Sequence, residues 1–235
     1  MSRNLIFTKI FGGSITVLAT ILGVSAPANA IVFTTFTDRP SWEAAVGGSF
    51  SEEDFNSFTV DTSFNSDGSV NVGNLSLNGV GNASFNRIDV PPYIVANPNI
   101  NVNGTSQVSS EVNSIGTAFL NIAFSSEITA FGAEFASISD GRITQIVADS
   151  EVPISVPEIN STEFFGIVGD GSFSNITFQP GDNQTDGFGM DNVVYFSSIT
   201  SVPFEFSPTL GLFAVGGIWG VSRLRKKMSA SKITE

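Results

Sequence analysis

Residues 118–135 read Ala-Phe-Leu-Asn-Ile-Ala-Phe-Ser-Ser-Glu-Ile-Thr-Ala-Phe-Gly-Ala-Glu-Phe. Ala118, Leu120, Ile122 and Phe124 recur every second residue, and so do Phe131, Ala133 and Phe135. Period two is the spacing of one face of a β-strand, so the stretch predicts a strand and then the next. Toward the C-terminus the pattern continues. Ile143, Gln145 and Val147 share one face, then Val152, Ile154 and Val156, with Asp149-Ser150-Glu151 as the turn. Ile176 and Phe178 line a further strand. In the last one Phe188, Met190, Asn192, Val194 and Phe196 alternate with Gly189, Asp191, Val193 and Tyr195. Short strands at regular spacing predict an all-β sandwich or barrel. The 22 phenylalanines suit the apolar layer between packed sheets.

Toward the N-terminus the signal weakens. Residues 55–115 are rich in Asn, Ser and Gly and are interrupted by Pro91-Pro92 and Asn97-Pro98. They predict long loops, where binding residues often sit. One short helix is expected over Asp38–Val46. Pro40 stands at its start and Gly47-Gly48 at its end.

The two ends read as addresses. Arg3 and Lys9 form a basic leader, Phe11–Val24 an apolar run, and Ala28-Asn29-Ala30 a small-residue cleavage site. Residues 1–30 are therefore expected to be a signal peptide, handled by the secretion translocon and signal peptidase, with Ile31 the first mature residue. At the other end, residues 206–221 carry no charge over 16 positions. That is short of the ~20 residues of a spanning helix, but snorkelling by Arg223, Arg225, Lys226 and Lys227 makes up the deficit. A transmembrane helix over 206–222 is expected, with those four cations as a cytoplasmic stop and the acidic domain outside. An uncleaved leader and a buried core helix are the alternatives at the two ends.

Charge sets the limits on chemistry. Residues 31–202 hold three arginines (Arg39, Arg87, Arg142) against 20 acids, a formal −17, and no lysine. Such a surface repels nucleic acid and suits divalent cations or plain solubility. The chain has no Cys and no His. Disulfides, thiolate sites, histidine bases and nearly all zinc sites are excluded, and catalysis is left to carboxylates, Tyr and Arg.

The order Pro203-Phe204-Glu205, apolar stretch, basic cluster resembles the PEP-CTERM sorting signal. Residues 202–227 are similar to its cyanobacterial variant with a Pro-Phe-Glu core. The resemblance implies recognition by an exosortase-type membrane protease, with processing near Pro203–Glu205. The family is associated with exported, often matrix-forming proteins of organisms that make exopolysaccharide. Residues 164–178, then Asp186-Gly-Phe-Gly-Met-Asp-Asn-Val-Val-Tyr195, are similar to the closing strands of exported jelly-roll domains related to carbohydrate-binding modules. Residues 36–45 resemble the start of such PEP-CTERM proteins. The implied architecture is an antiparallel two-sheet jelly-roll-like sandwich over 31–200, followed by a sorting signal over 201–228.

In related jelly rolls, acids near the N-terminus and on the last strand hold a structural calcium. The resemblance points here to Glu52, Asp54 and Asp191 as candidate ligands, with Asn56 where an acid is commoner. The alternative is that Asp191 bonds to backbone amides while Glu52–Asp54 face water. Gly181–Asp186 is a short oxygen-rich loop, read either as a metal loop or as a solvated turn. Glu134 with Glu127 or Asp140 is the candidate carboxylate pair for glycoside hydrolysis. Trp42, Tyr93 and Tyr195 are candidate sugar-stacking rings, with Trp42 read alternatively as packing the helix. These features point to a non-enzymatic surface or matrix protein. A calcium-dependent carbohydrate-binding module and a carboxylate glycosidase are the rivals, and polysaccharide is the candidate partner.

Overall fold

A computed structural model describes residues 30–65, 67–93, 100–114 and 117–197. The leader up to Asn29, with the cleavage-site Ala28, lies outside the described residues. So do Pro203, Phe204, Glu205, the 206–222 span and Arg223, Arg225, Lys226 and Lys227. Ala30 is described and exposed. Among the described residues no helix is long and apolar enough to cross a membrane.

The fold is all-β with one short helix. In chain order the elements are β1 (Phe33–Phe36), α1 (Arg39–Val46), β2 (Ser51–Glu53), β3 (Thr62–Ser63), β4 (Ser69–Val72), β5 (Leu75–Val80), β6 (Asn86–Asp89) and β7 (Gln107–Asn113). There follow β8 (Phe119–Ala136), β9 (Thr144–Ala148), β10 (Ile154–Ser155), β11 (Glu163–Pro180) and β12 (Thr185–Phe196). All pairings are antiparallel. The central order is β10-β9-β11-β8-β12-β7-β6-β3, with β1 on β11, β2 on β12, and β4-β5 on β8.

Two strands organise everything else. β8 and β11 are each 18 residues long and pair with each other twice, on either side of a register shift between Val168 and Asn175. Residues 119–124 of β8 take β5 as their other neighbour, and residues 130–136 take β12. One half is therefore β4-β5-β8-β11-β9-β10, the other β1-β11-β8-β12-β7-β6-β3. Phe178 of the first half meets Phe131 and Phe135, further along β8, at ring-centroid distances of 6.2 and 5.7 Å, and Phe188 of β12 at 5.4 Å. These rings belong to the main apolar core, which also holds Leu77, Leu120, Ile122 and Ile176.

A smaller core of Trp42, Ala130, Phe164 and Val194 is capped by α1. The helix starts where Asp38 accepts from the Ser41 amide at 3.0 Å and Pro40 fixes the first turn. It stops at Gly47, which at φ 67° takes the left-handed cap conformation. Its one fully buried side chain is Trp42, whose indole N–H donates to the Ile167 carbonyl at 3.2 Å. Gly166 makes room for it: a Cβ there lies 2.7 Å from Trp42 Cδ1.

Four expectations are corrected. Residues 118–135 form one strand from Phe119 onward rather than two, because the chain runs on as strand through Ser125–Glu127 while its ladder to β11 shifts register there. In β9 the buried face is Thr144, Ile146 and Ala148; Gln145 and Val147 are half-buried, and Ile143 and Val152 are exposed. The pattern misled because the buried face opens on a threonine whose hydroxyl is satisfied by Asp186. Residues 55–115 hold β3 to β7 rather than loops alone. β7 is wholly buried, yet reads as polar because Ser110, Glu111 and Asn113 are bonded inside. In β12 a register shift at Asn192, φ 49°, flips the alternation. Phe188 and Met190 therefore share the main core with Val193 and Tyr195, not with Val194.

Candidate functional site on the closing strand

Asp191 sits just before the bulge of β12 and is fully buried. Its Oδ1 accepts from the Asn192 amide at 2.7 Å. Its Oδ2 accepts from Asn103 Nδ2 at 2.8 Å and Thr105 Oγ1 at 3.1 Å. Burial pushes the carboxyl up to about 6; the three hydrogen bonds oppose this, and the charge of Asp54 adds to it. Asn103 in turn accepts from the Thr105 amide at 2.9 Å, and Asn101 from the Gly104 amide at 2.8 Å. Tyr93 donates its hydroxyl to the Thr105 carbonyl and is pushed up by burial, with Asp191 and Asp89 contributing. The segment 100–105 is thus laid over β12 and fastened by one carboxylate.

The bulge positions a second acid. Glu134 lies opposite Asp191 in the β8–β12 ladder, and its Oε2 accepts from Asn192 Nδ2 at 2.8 Å. The left-handed backbone at Asn192, tolerated by Asn more than by most residues, turns that amide toward it.

Of the three candidate calcium ligands, Asp54 and Asp191 are linked through charge alone. Asp54 is exposed, caps the Asn56 amide at 3.1 Å, and is lowered mainly by that bond; it still acts electrostatically on Asp191. Glu52 is turned away into a two-pronged pair with Arg39, at 2.8 and 3.0 Å. Among the described residues no group of three or more Asp, Glu, His or Cys is placed to hold a metal. The donor chemistry agrees. Asp191 is surrounded by protons, not by further converging oxygens, so this arrangement does not fit a calcium ion and no step is derived through one.

The remaining candidates are scattered. Glu127 accepts from Ser172 Oγ at 2.6 Å. It stands seven residues from Glu134 on one strand, about 23 Å at ~3.3 Å per residue, beyond the ~5–10 Å of a glycosidase pair. Asp140 lies exposed in the β8–β9 turn. The Gly181–Asp186 loop spends its acids on that turn: Asp182 accepts from the Ile143 amide at 3.1 Å. Asp186, 2 % exposed, accepts from the Ser139 amide at 2.8 Å and from the Thr144 hydroxyl. Burial pushes its carboxyl up. Trp42 and Tyr195 are buried, the latter against Phe124 at 5.3 Å, so neither offers a free ring face. Sequence reasoning missed Asn103, Thr105 and the Arg87–Asp89 ion pair on β6. The Asn-Gly-Thr turn at 103–105 was the available signal for the first two.

No protein-family model and no curated protein matches the chain. Two solved chains match, among them the enzymatically active domain of tailspike protein 4 of bacteriophage CBA120. That likeness has 18% identity and a TM-score of 0.31, over 57% of this chain and 21% of that one. This chain thus spans about a fifth of the tailspike chain.

Proposed function

We propose that the chain is an exported, non-enzymatic cell-surface or matrix protein. On this reading residues 1–30 direct export, residues 31–200 fold outside as a two-layer, jelly-roll-like sandwich, and Pro203-Phe204-Glu205 with the following apolar span is the substrate of an exosortase-type protease. The observation that carries it is the partition of charge. Seven of the ten cations lie in the two ends, while the domain between has three arginines against 20 acids. A lysine-free, acidic domain between an apolar leader and an apolar stretch closed by four cations suits a chain whose middle crosses a membrane and whose tail does not.

The test is fractionation of the full-length protein in a bacterial host, with the mature N-terminus sequenced. The expected result is a chain starting at Ile31 in the envelope or outside the cell. A cytosolic product still carrying residues 1–30 overturns the reading.

One observation favours the rival, a calcium-dependent carbohydrate-binding module: Asp54 is near enough to Asp191 to raise it. That reading requires Asp191 to exchange three proton donors for a cation.

A further inference from the structure

We infer that the outward face of the β4-β5-β8-β11-β9-β10 half is a contact surface for a neutral polysaccharide. This deepens the surface-protein reading and rests on it. Along these strands alternate residues enter the core, leaving the others to solvent. The register then aligns the outward residues across strands. Asn78 pairs with Asn121, and Asn121 with Thr177. Their side chains form a continuous ladder: Asn78 Nδ2 donates to Asn121 Oδ1 at 3.3 Å, and Asn121 Nδ2 to Thr177 Oγ1 at 3.0 Å. The next row aligns Asn71, Ser76 and Ala123. On the far side Gln179 donates to Gln145 at 3.5 Å.

No residue in these rows is charged, in a domain that carries 20 acids. The acids nearest the face stay at its ends: Asp149 binds Ser174 and Asn175, Asp67 caps Gly81, and Asp182 holds Ile143. A carboxylate only accepts hydrogen bonds, whereas amides and hydroxyls both donate and accept, as sugar hydroxyls do. A sheet face of amides and hydroxyls without charge therefore matches an uncharged glycan and gives no purchase to an anionic one.

A second feature sits at the β4–β5 end. A hollow of about 200 Å³ is lined by Asn71, Asn74, Leu75, Ala123, Phe124 and Ser125. Asn71 and Asn74 are exposed, whereas Leu75 and Phe124 in the same lining are buried. The volume is below the ~300–1,000 Å³ of drug-sized ligand sites, so it takes a single small ring. A lining that mixes apolar and amide side chains suits a pyranose, which has C–H faces and hydroxyl edges.

The test is co-sedimentation of the full-length protein, in neutral detergent, with insoluble cellulose and with insoluble starch, using gelled alginate as the acidic control. Retention on at least one neutral polymer is expected, at least tenfold above alginate and unchanged by added sodium chloride. Asn78→Ala/Asn121→Ala, with a melting temperature lowered by the lost ladder bonds, and the exposed-edge variant Asn71→Asp, at unchanged melting temperature, are each expected to weaken retention at least tenfold. Glu158→Ala, an exposed acid outside the face, leaves retention unchanged. Absence of retention on both neutral polymers, equal retention on alginate, or wild-type retention by Asn71→Asp overturns the inference. So does a self-associated species that Asn71→Asp dissolves in the absence of any polysaccharide binding, which assigns the face to a second copy. None of these outcomes bears on export, which fails only if the full-length chain stays in the cytosol.

Discussion

Asn103 donates to Asp191 at 2.8 Å across 88 residues of sequence, and this bond closes an irregular segment onto the last strand. Thr105 shares the same carboxylate oxygen at 3.1 Å, so one buried anion holds two residues of a segment that has little regular structure of its own. Removing the anion leaves these donors without their partner. Asp191→Ala is expected to cost about 2–4 kcal/mol, the range for stranding buried donors around a charged acceptor. Chemical denaturation gives the magnitude. Hydrogen exchange should show residues 100–106 opening well before β8 and β11; uniform loss of protection across the sheet contradicts the fastening role.

The same carboxyl makes a pH prediction whose sign is opposite to that of most surface acids. Its folded value, about 6, lies above the ordinary 3.8, because burial outweighs the three bonds. The native state therefore holds the proton more tightly than the unfolded chain. The contribution is full below pH ~4 and is lost as pH rises to about 6. The lost amount is on the order of 3 kcal/mol, about two pK units at ~1.4 kcal/mol each. The stability difference between the wild type and Asp191→Asn should shrink by this order between pH 4 and pH 7, then stay flat. A difference independent of pH shows that Asp191 titrates normally.

Gly189 tests the closeness of the covering segment. A Cβ at this position falls 1.9 Å from the Ile100 carbonyl oxygen, a backbone atom that cannot swing away. Gly189→Ala should cost about 1–3 kcal/mol by overpacking and lift residues 100–106 selectively. Gly141→Ala is the informative contrast. No atom lies within 4 Å of its added Cβ, and its φ of 64° leaves only local backbone strain. Equal effects on the protection of residues 100–106 in both variants run against the packing argument.

Periodicity revealed the all-β character and the capped helix because both depend on local rules. Strands with one buried face alternate, and Asp38, Pro40 and Gly47 punctuate the helix at the places their chemistry favours. What stayed hidden depends on long-range partners. β7 reads as polar because Ser110 bonds Asn86 and Asn113 bonds Glu111 inside the fold, and no local pattern announces those pairs. Alternation in β12 failed at Asn192, where one extra residue inverts every side chain that follows. Asp191 was legible as important from the closing-strand pattern. Its donors were not, since Asn103 and Thr105 are brought to it only by the path of the covering segment. The uncharged sheet face was equally invisible: Asn78, Asn121 and Thr177 lie far apart in sequence and meet only through register.

The fate of Asp191 also predicts the response to calcium. A cation bound between Asp54 and Asp191 requires carboxylate oxygens free to converge, whereas Asn192, Asn103 and Thr105 already point protons at both oxygens of Asp191. Glu52 is held by Arg39, so recruiting it means breaking that two-pronged pair. Ligand that binds only the folded state raises stability by about 2.7 kcal/mol at 100 times its Kd, so even a modest site shows in a melting curve. The expected outcome is a melting temperature unmoved by millimolar calcium at pH 7, and equally unmoved in Arg39→Ala, where Glu52 is released. A calcium-dependent rise confined to Arg39→Ala shows that the salt bridge withholds a ligand. A rise in the wild type that Asp191→Asn abolishes shows that Asp191 turns from its proton donors to the metal.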